Sequence, residues 1–226
     1  MTLSYSILFF PVSCPLLPAS SFSFLLPPPS TSLRFTVPTD YPVLRSPNMT
    51  RLVLDGTSLT SLAPSLMSEL TRLEHLSFRD AKQKLGMLPN LPASLKLLNA
   101  ERSGITGLHG ALPPSLSHIY LENNEVTELP SMELLSSLRR LELSFNKLTM
   151  MPIMPTGPIY DPSPLSRIEA SNNLLTGFHD TTWVHLERLL WLDLSHNALT
   201  TVPKLYKTKD IFLSHNALNS MSWVPL

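Results

Sequence analysis

One spacing of aliphatic residues recurs along most of the chain and constrains its fold more than any other feature. The spacing follows the template L-x-x-L-x-L-x-x-N-x-L, and eight copies can be placed at steps of 24, 22, 21, 22, 27, 24 and 19 residues. The copies begin at Met49, Leu73, Leu95, Leu116, Leu138, Leu165, Leu189 and Thr208. Self-similarity at such a period is typical of stacked repeats, so we predict a solenoid in which each repeat packs against its neighbours.

The copy at residues 138–148, LRRLELSFNKL, shows why this spacing suits a short strand followed by a turn. Side chains alternate between the two faces of a strand, so Leu141 and Leu143 point inward while Glu142 points outward. The side-chain amide of Asn146 can bond the backbone of the turn that ends the strand. One repeat cannot bury its own apolar face, so the stacking of neighbours must supply the burial.

The repeated pattern resembles the leucine-rich-repeat family over residues 49–221. The resemblance implies an α/β solenoid, a curved right-handed superhelix with a parallel sheet on its concave face and short helical or polyproline-like segments on its convex face. Residues 88–98 (LPNLPASLKLL) look like short bacterial-type repeats, because their prolines favour an extended connection. Residues 130–141 and 178–192 can instead form a helical turn or two, as in the longer typical repeats. We therefore predict a mixed array.

Asparagine occupies the ninth template position in five copies, and stacking these residues predicts a structural ladder of amide hydrogen bonds. The ladder consists of Asn124, Asn146, Asn173, Asn197 and Asn216. The first three copies have Thr57, Ala81 and Ser103 at this position. Because alanine cannot form the amide bonds, we expect the second copy to be distorted.

The composition changes between residues 1–40 and residues 41–226. The first segment is rich in Ser, Pro and Leu, and Arg34 is its first charged residue. It fits a disordered leader, a signal-like segment or a translated upstream tract with Met49 as the true start. The second segment is expected to form a repeat domain of about eight copies with no C-terminal capping motif. Truncation, or association of another chain with the uncapped C-terminal edge, would explain the missing cap.

Charge and cysteine content limit the partners and the location. The chain has 17 basic and 17 acidic residues, so no global field attracts nucleic acid or an anionic membrane. Prolines interrupt the apolar N-terminal stretch, and no membrane span is expected. The single cysteine, Cys14, precludes an intrachain disulfide, which favours a cytoplasmic or otherwise intracellular location. Secretion is the alternative if residues 1–21 act as a signal peptide, and Asn48 in N-M-T would then accept a glycan.

The sequence contains no motif that supports catalysis, such as a phosphate-binding glycine loop or a nucleophile elbow. Ser195 and His196, with Asp193 nearby, suggest a catalytic triad only superficially. They occupy template positions that recur at Ser214 and His215, so they are repeat residues. The histidines show no spacing typical of metal ligands. We therefore expect a protein that is not an enzyme and has no cofactor or bound metal.

Outward positions on adjacent strands should stand in columns about 4.8 Å apart. In these columns Glu142, Glu169 and Asp193 should form an acidic ridge, flanked by aromatic residues. The hypothetical partner-binding residues are Tyr120, Arg140, Glu142, Arg167, Glu169, Trp191, Asp193 and Phe212. Either the arginines only neutralise the ridge as weak solvated pairs, or the surface binds a protein or peptide with basic and apolar side chains.

The sequence favours a non-catalytic scaffold that binds a protein or peptide partner on the concave face of the repeat array. A secreted or surface-displayed recognition protein is the first alternative. The second alternative is the substrate-binding repeat portion of a larger enzyme or of a truncated gene product. The resemblance implies protein binding without identifying the partner.

Overall fold

A computed structural model describes residues 48–155, 163–178, 183, 186–202, 205 and 207–219. The leader assigned to residues 1–40 lies outside the described residues, so its interpretation stays a prediction. The boundary of the repeat domain at residue 41 lies outside them as well.

The described residues form ten short strands and one helix. In chain order they are β1 (Arg51–Val53), α1 (Pro64–Glu69), β2 (His75–Ser77), β3 (Gly86–Leu88), β4 (Leu97–Asn99), β5 (Ile105–Leu108), β6 (His118–Tyr120), β7 (Arg140–Glu142), β8 (Arg167–Glu169), β9 (Trp191–Asp193) and β10 (Asp210–Phe212). Eight strands form a parallel sheet in the order β1-β2-β4-β6-β7-β8-β9-β10, and β3 pairs with β5 separately. The predicted parallel solenoid is confirmed, and it contains little helix.

The register of the sheet follows the template. The fourth template position of each turn pairs with its equivalent in the next turn, for example Ile119 with Leu141 and Leu141 with Ile168. All three side chains are completely buried. Burying one such side chain stabilises the fold by about 1.5 to 3 kcal/mol, so the stacked aliphatic columns form one continuous core. The eighth turn is less enclosed, since Ile211 and Leu213 are only partly buried.

The ladder asparagines bond the backbone of their own turn and of the preceding one. Nδ2 of Asn146 donates to the carbonyl oxygens of Leu121 at 2.8 Å and Leu143 at 3.0 Å, and its Oδ1 accepts from the Val126 amide at 3.0 Å. The same pattern holds at Asn124, Asn173, Asn197 and Asn216. In the third turn a hydroxyl replaces the amide, because Ser103 Oγ donates to Phe78 O at 2.7 Å.

The second turn departs from the template by two residues. Gln83 stands at the position expected for a core leucine, yet it is exposed and Leu85 is buried in its place. The extra residues form a bulge that brings Lys84 onto Glu125, two turns away, where Lys147 also binds at 3.1 Å. A Cβ on Gly104 would lie 2.7 Å from Lys84 Cγ, so glycine is needed beneath the bulge. The expected distortion is therefore an insertion.

A left-handed residue precedes the ladder position in every described turn. Its φ angle lies between 49° and 67° throughout. The residues are Gly56, Asp80, Arg102, Asn123, Phe145, Asn172, His196 and His215. Glycine and asparagine adopt this conformation readily, whereas arginine and phenylalanine do so only where the surrounding structure imposes it. The turn hydrogen bonds on both sides of the residue impose it here.

Helix is scarcer than the sequence suggested. Residues 131–139 form turns and not the helical segment expected there, and the second expected helical segment lies partly outside the described residues. The helix is instead α1, after β1, where Pro64 occupies the first turn and lacks the amide that would otherwise need a partner. The prediction for residues 131–139 was wrong. Met132 and Leu135 are buried and anchor the connection to the core, but the segment lacks the longer apolar stripe that would stabilise a helix.

Candidate partner-binding surface

The register brings all eight hypothetical partner-binding residues onto one face of the sheet. The residue pairs Tyr120 with Glu142, Glu142 with Glu169, Glu169 with Asp193 and Asp193 with Phe212 stand in one column. Arg140, Arg167 and Trp191 stand in the adjacent column. We refer to these eight residues as the sheet surface. The columns match the expectation because one fixed period places equivalent residues side by side.

Each arginine of the sheet surface binds the glutamate two residues further along its own strand. Arg167 Nε donates to Glu169 Oε1 at 2.5 Å, and Arg140 Nε donates to Glu142 Oε1. Residues two apart on a strand share a face, which explains these pairs. Both guanidinium groups remain partly exposed, so each pair contributes under about 1 kcal/mol. The acidic ridge is thus partly neutralised.

The two arginines lean away from each other. The guanidinium carbon of Arg140 lies 5.5 Å from the ring centroid of Tyr120 on β6, whereas that of Arg167 lies 4.4 Å from the ring centroid of Trp191 on β9. Both contacts are in the range of cation–π attraction. In the adjacent column Glu142 and Glu169 are direct neighbours, because β7 and β8 pair in register.

The carboxylates of the sheet surface and its rim interact unfavourably. Burial raises the pKa of Glu142, and Arg140 only partly opposes this increase. Burial also raises the pKa of Glu122, and the charges of Glu142 and Glu169 raise it further. The outward positions of repeats three to eight carry two guanidinium groups against six carboxylates, which belong to Glu101, Glu122, Glu142, Glu169, Asp193 and Asp210. The face therefore keeps an excess of negative charge that favours a cationic ligand.

Asp193 differs from the two glutamates of the ridge. Its Oδ1 accepts hydrogen bonds from the Ser195 amide at 2.9 Å and from Ser195 Oγ at 2.7 Å. These bonds hold the carboxylate toward the turn of its own repeat. The acidic ridge therefore consists of Glu142 and Glu169. Ser195, His196 and Asp193 do not form a catalytic triad, because Ser195 Oγ donates to Asp193 within a turn and does not bond His196.

An aromatic cluster ends the sheet surface on the side of β10. The ring centroids of Trp191 and Phe212 lie 4.7 Å apart at an interplanar angle of 41°. Phe212 is 42% exposed. Among the described residues, no acceptor lies within hydrogen-bond distance of the buried Trp191 Nε1. On the opposite side, His118 stacks on Tyr120, and burial together with Arg140 lowers the pKa of His118. The lowered pKa favours the uncharged form of the imidazole that stacks on Tyr120.

The left-handed column carries exposed groups that the sequence analysis did not consider as contacts. His196 and His215 stack with ring centroids 4.1 Å apart, and Phe145 is largely exposed. The sequence reveals this column once the residue before the ladder position is compared between copies. The described residues include no group of three or more metal-binding side chains suited to a cation. In the same part of the chain, no helix has the length and apolar character needed to cross a membrane.

Comparison by sequence relates the chain to extracellular-matrix proteins. It is 28% identical to rat (Rattus norvegicus) lumican over 182 residues, which cover 76% of this chain and 51% of lumican. It is 30% identical to bovine (Bos taurus) mimecan over 154 residues, covering 63% and 50% of the two chains. Human (Homo sapiens) podocan-like protein 1 is 30% identical over 174 residues, covering 65% and 34%. The chain spans about half the length of lumican and mimecan, and no protein-family profile matches it.

Solved structures share the repeat architecture. YopM from Yersinia enterocolitica WA-314 superposes with a TM-score of 0.66 and 26% identity, covering 78% of this chain and 36% of that one. The functional domain of InlJ from Listeria monocytogenes gives a TM-score of 0.63 at 24% identity, covering 80% and 38%. At that identity the second likeness concerns the fold alone.

The relatives correct the expected location. We expected a cytoplasmic or otherwise intracellular protein, and this was wrong, because lumican, mimecan and podocan-like protein 1 are secreted proteins of the extracellular matrix. The expectation rested on the single cysteine. The ladder and the buried aliphatic columns close the described turns by hydrogen bonds and packing, so disulfide content was a poor guide to the compartment.

Proposed function

We propose that this chain, which is a leucine-rich-repeat protein, is a secreted or surface-displayed recognition protein that catalyses no reaction and binds a protein or peptide on the concave face of its sheet. Its relatives lumican and mimecan are non-enzymatic matrix proteins, which supports both the compartment and the binding role. Leucine-rich-repeat proteins such as the structural neighbours bind protein partners. The partner class follows from the sheet surface.

The observation that carries the proposal is the pair of adjacent glutamates on β7 and β8, each beside an arginine that contacts an aromatic ring. Cation–π contacts hold Arg140 and Arg167 toward the outer aromatic rings, and Glu142 and Glu169 stand side by side on β7 and β8. Glu142 is only 6% exposed, so a lysine or arginine of the partner approaches from the more exposed Glu169 and relieves the repulsion between the two carboxylates. Two like charges in register destabilise a sheet, so folding alone does not explain why they stand side by side.

The aromatic ends define the rest of the ligand. Tyr120 lies on β6, Trp191 on β9 and Phe212 on β10. Apolar side chains on either side of the partner's basic residue can therefore pack against these aromatic rings. Tryptophan, tyrosine and arginine are the residues enriched at binding hot spots. The ligand is therefore a segment with a basic residue flanked by apolar ones.

A phage-displayed peptide library selected on the full chain tests this function. Selected peptides should contain a basic residue flanked by apolar ones, and their affinity should fall as salt is added. The double variant Glu142→Gln, Glu169→Gln should weaken binding at least about tenfold, since loss of charge-assisted contacts costs about 1.5 to 3 kcal/mol. Trp191→Ala combined with charge reversal at both glutamates should abolish it.

Arg51→Gln is the matched control, because Arg51 occupies the equivalent outward position on β1, far from the sheet surface. Its affinity should equal that of the wild type. Selected peptides without basic residues, or peptides that bind the double glutamine variant as tightly as the wild type, would refute the proposed ligand class.

A second interface is proposed at the eighth turn, where the sequence predicted association with another chain. Ile211 and Leu213 are only partly buried, whereas the equivalent Leu192 and Leu194 of the seventh turn are completely buried. Covering this surface with a second copy would remove apolar area from water. Sedimentation of the full chain at rising concentration should show a dimer, and monomeric behaviour throughout would count against the interface.

A further inference from the structure

The sequence N-M-T at residues 48–50 is not used by the fold or by the proposed binding surface. Asn48 is one of eleven asparagines, and it is the one followed two residues later by serine or threonine. This tripeptide is the acceptor sequence for N-linked glycosylation in the secretory pathway. The inference below rests on the proposed extracellular location.

The repeat itself excludes this modification at the ladder. The residue two positions after a ladder asparagine is a core position, occupied for example by Val126 after Asn124 and by Leu148 after Asn146. An aliphatic residue is required there, so the acceptor tripeptide cannot arise. A glycan on a buried ladder amide would also break the bonds to the neighbouring turn. The tripeptide therefore occurs where an oligosaccharide does no harm to the core.

The local geometry at Asn48 suits an attached glycan. Asn48 and Thr50 are exposed, and Met49 between them is buried in the first turn and anchors the segment. Asn48 Oδ1 accepts a hydrogen bond from Arg72 Nη1 at 3.1 Å. That bond uses the carbonyl oxygen of the amide, which glycosylation leaves in place. The glycosylated Asn48 can therefore keep its hydrogen bond to Arg72. Attachment occurs at Nδ2, for which the structure describes no partner.

We propose that Asn48 carries an N-linked oligosaccharide that covers the edge of β1 with which no described strand pairs. The donor class is a lipid-pyrophosphate-linked oligosaccharide. A bond forms between Nδ2 and the anomeric carbon, the bond from that carbon to the pyrophosphate oxygen breaks, and the amide loses one proton as the lipid pyrophosphate leaves.

The position of Asn48 gives the glycan a second role. β1 is the edge strand of the described sheet, and its first residue, Arg51, follows Asn48 by three positions. On its inner side the segment is fixed, because Thr50 O accepts from the amides of Glu74 at 2.9 Å and His75 at 3.0 Å. An edge without a partner strand, as β1 has among the described residues, is a template for strand addition by another chain. A hydrated oligosaccharide at the start of β1 obstructs that approach.

The test uses the full chain, secreted from mammalian cells behind an added signal sequence so that it meets the glycosylation machinery. Treatment of the secreted protein with peptide-N-glycosidase in heavy-oxygen water should convert Asn48 to labelled aspartate, detected by peptide mass spectrometry. Asn48→Gln and Thr50→Ala should abolish the label. Thr50→Ser should retain it, and Asn90→Gln, at an exposed asparagine outside the tripeptide, should not affect it. Secreted wild-type protein without label at Asn48 would overturn the inference.

Two further readouts separate the claims. Untreated and deglycosylated wild type are compared by sedimentation, and the deglycosylated form should self-associate more strongly than the untreated form. Equal sedimentation would refute the edge-covering role while leaving the attachment established. Deglycosylated protein should bind the selected basic peptides as the glycosylated protein does, because the sheet surface lies several strands away. A missing label with unchanged peptide binding therefore rejects the glycan and leaves the proposed binding function standing.

Discussion

The guanidinium carbon of Arg167 lies 4.4 Å from the centroid of the Trp191 ring, across the boundary between β8 and β9. The same guanidinium donates to Glu169, so it is held by a ring on one side and by a carboxylate on the other. On the opposite half of the sheet surface, Arg140 is held in the same way by Tyr120 and Glu142. The cation–π contacts therefore draw the two arginines toward opposite neighbouring strands, β6 and β9.

The first prediction concerns the coupling of Arg167 to Trp191. In a double-mutant cycle of Arg167→Ala and Trp191→Ala, the coupling should be about 0.5 to 1 kcal/mol, the range for partly exposed cation–π pairs. The coupling of Arg140 to Tyr120 should be smaller, because the cation lies further from the ring, at 5.5 Å. Urea unfolding of the single and double variants measures both values. A coupling of zero for the first pair would show that the ring does not hold the arginine.

The second prediction is that Glu122→Gln stabilises the protein near neutral pH. Burial, Glu142 and Glu169 raise the pKa of Glu122 in the folded state. The stability contributed by its protonated form is fully present below the unfolded pKa and is lost as the pH rises through the folded pKa. Glutamine keeps a neutral side chain at every pH. The variant should therefore be more stable than the wild type at about pH 7 and equal to it at about pH 3, by urea unfolding.

Glu125→Gln provides the control of opposite sign. Lys84 and then Lys147 lower the pKa of Glu125, so its contribution is present above the unfolded pKa and is lost as the pH falls through the folded pKa. The glutamine variant should be less stable than the wild type near neutral pH. A change of the same sign in both variants would mean that something other than charge dominates.

The third prediction concerns the ladder. Asn146→Ala leaves the buried Val126 amide and two buried carbonyl oxygens without this partner, which should cost on the order of 3 kcal/mol in the free energy of unfolding. Asn146→Ser should cost less, because a hydroxyl can bond a carbonyl of the preceding turn, as Ser103 does. Denaturant unfolding measures the series, with exposed Asn90→Ala as control. Equal losses at both asparagines would remove the ladder as a source of stability.

The fourth prediction compares two glycines with positive φ. Gly56→Ala should cost about 1 to 2 kcal/mol, since no atom lies within 4 Å of the new Cβ and only the left-handed backbone is unfavourable. Gly104→Ala should cost clearly more, because its Cβ would also lie 2.9 Å from the Lys84 backbone. Thermal unfolding of both variants gives the difference. If the two losses are the same, the bulge at Lys84 does not press on Gly104.

The fold could be predicted from the sequence because one period sets three features at once. It places aliphatic residues inside, fixes which residues pair between strands and assigns the outward columns. Leu143 and Leu194 are completely buried as expected, and Glu142 pairs with Glu169. The period alone determines this burial and this register, whatever the individual side-chain contacts are.

Features that depend on local geometry could not be predicted from the period. The template did not show that Leu85 would replace Gln83 in the core, because a two-residue bulge preserves the strands on either side. It also did not show the directions of Arg140 and Arg167, which follow from the aromatic residues on the neighbouring strands. The restraint of Asp193 by Ser195 was missed for the same reason. Such details depend on side-chain rotamers, about which repeat spacing carries no information.

The uneven ladder also determines where the molecule can fray. Amide rungs occur from Asn124 onward, whereas Thr57, Ala81 and Ser103 stand at the earlier positions, so the first three turns have weaker links between neighbours. In a linear array such turns can open while the others remain folded. Backbone hydrogens near β1 and β2 should then exchange with deuterium sooner than those near β7 and β8. Ligand binding on the sheet surface, which lies on β6 to β10, would persist while the first turns open.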